Sequence, residues 1–130
     1  MIEELQYDTS ILLTARIVNK YDNNNNCIES VRYNPNGSLY SKTLFKYDIS
    51  GKRTERAVYD SDGNLTSKIE YQYNEEGYWS EVNTYSSADN STQRTAYEYE
   101  YDTKGNWIYQ IEYVNGLAVK ITERQFEYFE

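Results

Sequence analysis

Tyrosines recur along this chain at a spacing that leaves little freedom for its fold. Those that open a Tyr-Asp-like turn stand at Tyr7, Tyr21, Tyr33, Tyr47, Tyr59, Tyr73, Tyr85, Tyr101 and Tyr113, with steps of 14, 12, 14, 12, 14, 12, 16 and 12 residues. Up to Tyr85 this is a 26-residue period of two unequal halves, and the long step before Tyr101 holds a two-residue insertion. Self-similarity at such a period marks a repeat architecture in which each unit is one supersecondary piece. Here the unit is a pair of strands.

The six glycines follow these tyrosines: Gly37, Gly51, Gly63, Gly77 and Gly105 four residues on, Gly116 three residues on. Glycine supplies the positive φ that tight turns require, and an adjacent Asp or Asn bonds its own backbone, so Tyr-Asp-x-x-Gly reads as a turn with a mechanism. Asn25 and Asp89 stand where Gly would be in two other units. Asn36-Gly37 and Asn115-Gly116 are also strong short hairpin signals.

Between turns the chain alternates with period two, as in Leu65-Thr66-Ser67-Lys68-Ile69-Glu70-Tyr71-Gln72-Tyr73, the mark of a half-buried strand. The odd positions carry the apolar residues in several such segments: Ile11, Leu13, Ala15, Ile17; Leu39, Phe45, Tyr47; Tyr97, Tyr99, Tyr101; Trp107, Tyr109, Ile111, Tyr113. The expectation is that one face of a sheet takes them all, with Tyr40, Leu44, Val58, Tyr78, Val82 and Ile108 on the other. Short strands joined by short turns predict an all-β chain, an antiparallel meander of about nine or ten strands forming a curved sheet or open barrel. Helix is conceivable only near Glu3 to Tyr7. The outer strands would be Ile11–Val18 and the segment from Leu117 to Glu127. Lys120, Glu123, Arg124 and Glu127 guard the second, so the first is expected to be the sticky edge, covered by residues 1–7, paired with another chain, or continued upstream.

The core must come chiefly from the 16 tyrosines, whose rings want burial and whose hydroxyls want a partner or water. A thin sheet suits that demand. At 130 residues the chain is one domain's length and needs no disulfide, and its lone Cys27 could form none internally. A formal charge of -8 with scattered Lys and Arg argues against nucleic acid as a partner. The longest apolar run, Ile11-Leu12-Leu13, is far too short to span a bilayer, and the acidic start Met1-Ile2-Glu3-Glu4 is no secretory signal, which leaves the localisation open: cytoplasmic for the chain as given, unless it is a fragment of a secreted or surface protein.

Three motifs invite sharper readings. Asp60-Ser61-Asp62-Gly63-Asn64 begins like a calcium loop, but positions 6 and 12 of the pattern fall on Leu65 and Tyr71, so turn chemistry explains it and no metal or cofactor is expected. Carboxylates are plentiful, yet nothing singles out a pair for glycoside hydrolysis, and with no His there is no evident nucleophile–base couple. Trp79 and Trp107 each stand two residues after a turn glycine, Gly77 and Gly105, which places them alike two turns apart. They are the candidate ligand-binding residues, a platform on which a sugar ring could stack, against the plainer reading of two core aromatics.

Tyr47-Asp48-Ile49-Ser50-Gly51, Tyr59-Asp60-Ser61-Asp62-Gly63-Asn64 and Tyr101-Asp102-Thr103-Lys104-Gly105-Asn106 resemble the Tyr-Asp-x-x-Gly-Asn motif of the YD-repeat, or rearrangement-hotspot, family. The resemblance runs over nearly the whole chain and rests on recurrence in register. It implies a non-enzymatic β-sheet protein of bacterial surfaces or toxin systems, with a structural or protein-interaction role and a strand edge open to a protein or a second copy. Two departures bear on it: nine turns are too few to enclose another domain, and Tyr21-Asp22 is followed by four Asn where Gly is usual. A carbohydrate-binding module is the alternative.

Overall fold

The computed structural model describes residues 2–7 and 13–129. Ten strands follow one another: β1 (Ile2–Tyr7), β2 (Leu13–Tyr21), β3 (Cys27–Tyr33), β4 (Leu39–Tyr47), β5 (Arg53–Asp60), β6 (Leu65–Tyr73), β7 (Trp79–Ser86), β8 (Ser91–Tyr101), β9 (Trp107–Val114) and β10 (Leu117–Glu123). The sheet order is β1 through β10 in sequence, a linear antiparallel meander rather than a closed barrel. Among the described residues none is helical, and Glu3 to Tyr7 belong to β1.

The turns form as their residues dictate. In Asp60–Asn64 the Asp60 carboxylate accepts from the N–H groups of Asp62 and Asn64, each at 2.9 Å, while the Gly63 N–H donates to the Asp60 carbonyl at 3.1 Å. Gly63 sits at φ 82, and Asn25 takes the equivalent place at φ 64 in the Asp22 turn. Asp22, Asp48 and Asp102 accept in the same pattern. In the β7–β8 turn the positive φ falls on Asn90 rather than Asp89, because the two-residue insertion moves the left-handed position one residue on and leaves Asp89 as the side-chain acceptor from Ser91. The two Asn-Gly pairs also part ways. Asn115 and Gly116 both have positive φ and join Val114 to Leu117 in a two-residue hairpin, whereas Gly37 alone does so in a longer turn closed by Tyr33 and Leu39. The turn after Tyr7 lies outside the described residues.

One expectation about the strands is overturned. Several turn-opening tyrosines pair with the residue six positions on: Tyr21 with Cys27, Tyr47 with Arg53, Tyr59 with Leu65 and Tyr101 with Trp107. The next pair then skips one residue of the following strand, Ile28, Thr54, Thr66 and Ile108 respectively. That bulge reverses the parity of the pairing. Odd positions of neighbouring strands therefore lie on opposite faces: Tyr97 and Tyr99 share a face with Glu112 and Gln110, while Tyr109 and Ile111 share the other with Glu100 and Glu98.

The chain divides into two compact units, one of residues up to Glu70 with Thr84–Ser91, the other of Tyr71–Asn83 with Thr92 onward. In the first, Ala15, Val18, Val31 and Ala57 are buried, and Val18 faces Val31 across β2 and β3. Glu55 and Glu70 oppose each other directly, a like-charge pair made tolerable by Lys46 at 3.1 Å from Glu55 and by Lys68, 3.8 Å from Glu55 and 2.7 Å from Glu70. Among the described residues no large side chain is fully buried.

The outer strand at the N-terminal side is β1, not Ile11–Val18: Glu3, Leu5 and Gln6 pair with Val18, Arg16 and Ala15 of β2, so residues 2–7 cover that edge. Ile11 and Leu12 lie outside the described residues.

Candidate functional site

The second unit gathers most of the ring contacts. Trp79 opens β7 and Trp107 opens β9, and Tyr97, Tyr99 and Tyr101 alternate along β8 between them. Tyr71 stacks on Trp79 with centroids 5.8 Å apart, and Trp79 lies 6.1 Å from Tyr97. Tyr99 stands 5.6 Å from Tyr78 and 6.0 Å from Trp107. Such offset and tilted pairs add to simple area burial. The Tyr99 hydroxyl donates to the Trp79 carbonyl at 2.7 Å and accepts from Gln110 Nε2 at 3.2 Å. Burial pushes the phenols of Tyr97 and Tyr99 above their ordinary pKa, so both remain neutral. A shallow hollow of about 260 Å³ lies among Tyr73, Tyr78, Trp79, Tyr99, Trp107 and Gln110.

The two candidate tryptophans thus meet in one aromatic cluster but differ in what covers them. Trp79 keeps 45% of its surface exposed. Trp107 is half-buried, with the Arg124 guanidinium 3.4 Å from its ring centroid. The same guanidinium donates to the Trp107 carbonyl through Nε at 3.2 Å and Nη2 at 3.1 Å, and lies 4.9 Å from the Phe126 ring. A sugar ring would find the Trp79 shelf open and the Trp107 face already taken.

Arg124 belongs to a tail, residues 124–129, that carries on past β10. The Arg124 N–H donates to the Ile108 carbonyl at 2.8 Å, and the Tyr128 hydroxyl donates to the Asp102 carboxylate and accepts from Asn106 Nδ2 at 2.8 Å. Lys104 Nζ sits 3.9 Å from the centroid of the Tyr128 ring. Sequence reasoning treated Arg124 as an edge charge and passed over Tyr128. The signal that finds them is the period-two run Arg124, Phe126, Tyr128, a strand pattern continued beyond the last turn.

The carboxylates of this unit are held by hydrogen bonds. Glu81 accepts from Arg94 Nη2 at 2.6 Å and from Asn83 Nδ2 at 2.7 Å, and Arg94 above all keeps its carboxyl below the usual pKa. Tyr113 donates to Glu98 at 3.0 Å and Tyr109 to Glu123 at 3.3 Å. Among the described residues no three of His, Cys, Asp and Glu converge as a metal-ligand set.

No curated protein matches the chain. Among solved structures it is similar to a chain of the Photorhabdus luminescens Tc holotoxin pore, at 17% identity and a TM-score of 0.28, covering 75% of this chain and 5% of that one. The present chain therefore spans about a twentieth of the length of that structure's chain. Residues 38–128 match the model of a family described as "Uncharacterised protein", more than half of the chain, and the chain belongs to that family.

Proposed function

We propose that the chain is a non-enzymatic β scaffold of the YD-repeat type, a small relative or a piece of a larger surface or toxin-system protein, whose role is structural or to bind protein. The observation that carries this is β10. It stands at the end of the strand order and holds Leu117, Val119 and Ile121 at 73%, 57% and 68% exposure. Outer strands with exposed apolar side chains are templates for an added strand, main-chain hydrogen bonds giving affinity and alternate side chains specificity. Tyrosines and aspartates are spent on turns and on contacts between strands. The carboxyls of Glu81 and Asp102 are held low by hydrogen bonds, the reverse of the raised carboxyl a general acid needs. The chain has no His to serve as base.

The test is binding of labelled extended peptides of alternating apolar sequence, followed by fluorescence anisotropy. Binding that Ile121→Lys weakens at least tenfold is expected. If no strand-forming peptide binds, the interaction reading fails.

The open Trp79 shelf between Tyr71 and Tyr97 favours a second reading, carbohydrate binding. It requires that oligosaccharides quench or shift tryptophan emission in the wild type and leave Trp79→Ala unchanged.

A further inference from the structure

The two outer strands of the order complement each other. β1 and β10 stand at the two ends of the strand order, each hydrogen-bonded to one neighbour. On β10, the pairing with β9 shifts between Ala118 and Lys120 and leaves Val119 as an extra residue. Leu117 and Lys120 then share one face, opposite Val114 and Glu112, while Ala118 and Ile121 share the other, opposite Tyr113 and Ile111. β1 alternates without a shift from Ile2 to Gln6, with Ile2 on one face and Glu3 and Leu5 on the other.

We propose that β10 of one copy pairs antiparallel with β1 of a second copy, setting Ile2 opposite Ile121, Glu3 opposite Lys120 and Leu5 opposite Leu117, with Val119 as the skipped residue. The proposal rests on the protein-interaction reading above and names its partner. On one face exposed Ile2 meets exposed Ile121; on the other, exposed Leu5 meets exposed Leu117 beside a carboxylate–ammonium pair. Cross-strand apolar and opposite-charge pairs of this kind are what stabilise a register. The skipped residue repeats the single-residue shift at the turns closed by Tyr21, Tyr47, Tyr59 and Tyr101. A slip by one residue, Ile2 opposite Thr122, would set Glu3 against Ile121 and put each side chain on the wrong face. Because the contact is head to tail, it does not close on itself as a two-fold dimer would, and copies add one after another.

The experiment uses the full chain with Cys27→Ser. Light scattering across a hundredfold range of concentration should show the mean mass at least doubling. Chains carrying Ile2→Cys, mixed with chains carrying Ile121→Cys and mildly oxidised, should give a covalent dimer several times more readily than a mixture of Ile2→Cys with Thr122→Cys. Mass staying at that of one chain overturns the proposal, as does equal cross-linking in the two mixtures, or cross-linking of Ile121→Cys chains with one another in preference to the mixture. If strand peptides bind β10 while the chain stays monomeric, this pairing fails and the broader reading stands; if neither occurs, both fail.

Discussion

Tyr128 donates its hydroxyl to the carboxylate of Asp102, 26 residues upstream, and so ties the tail to the turn between β8 and β9. Tyr47 and Tyr101 do the same at earlier places: Tyr47 donates to the Cys27 carbonyl at 2.7 Å, and Tyr101 accepts from Asn74 Nδ2 at 2.9 Å. Each closes a strand by reaching back to the preceding turn at the same end of the sheet. Tyr128→Phe keeps the ring over Lys104 and removes the hydroxyl's two bonds, to Asp102 and from Asn106. Amide exchange over residues 124–129 should then speed up several-fold with the rest of the sheet unchanged. Unaltered exchange there would mean that the hydroxyl of Tyr128 does not hold the tail.

Arg124→Ala should uncover Trp107. A desolvated cation over an indole contributes about 0.5–2 kcal/mol, so a modest fall in stability is expected along with a clear rise in acrylamide quenching. Quenching that stays at the wild-type level would show the Trp107 face to be covered by something else.

Acid should loosen the turns. The carboxyls of Asp48, through the Ser50 hydroxyl and the Lys52 amide, of Asp22, through the Asn26 amide, and of Asp102, through Tyr128, all sit below the ordinary value of 3.8. A group whose native pKa is depressed lends stability that is whole above its unfolded pKa and drains as pH falls through the lower native one. Tm should therefore hold between about pH 7 and 5 and drop below about pH 4. Asp48→Ala should lower Tm at neutral pH and shrink the acid-dependent part. A loss already complete by pH 5 would contradict the turn assignment.

Gly63→Val should cost about 1 kcal/mol or more, because a β-branched residue is strained at positive φ. An added Cβ meets nothing within 4 Å, so the penalty is that of the backbone alone. Gly63→Asn should cost less, since Asn25 holds the equivalent position at φ 64. Equal melting temperatures for the two variants would sink this account.

Lys68→Met leaves Glu55 and Glu70 facing each other, with Lys46 still 3.1 Å from Glu55. A loss of several tenths of a kcal/mol is expected, recovered by Glu70→Gln in the same chain. Thermal melts of the single and double variants would settle it, and a double variant no better than the single would dismiss the repulsion.

The turns were legible because their chemistry is local. An Asp that bonds its own backbone and a Gly or Asn at positive φ act within five residues, and the sequence displays both. The faces of the strands were not, because one skipped residue such as Thr66 or Ile108 reverses parity and leaves no mark in the alternation itself. Strand β1 was ambiguous since Glu3, Glu4 and Gln6 suit a helix as well as an edge. The place of Trp107 depends on Arg124, 17 residues away, and a contact across the sheet follows from register, which the sequence alone did not supply.

The skipped residue after each Tyr-Asp turn also sets how such a chain can change length. One strand with its turn, 12 or 14 residues, sends the chain to the opposite end of the sheet and exchanges the faces of everything downstream. Two strands with two turns restore both. Duplication or loss in blocks of 26 residues is then the edit that leaves every later side chain on its own side, so length can vary by recombination between like blocks without any residue being redesigned.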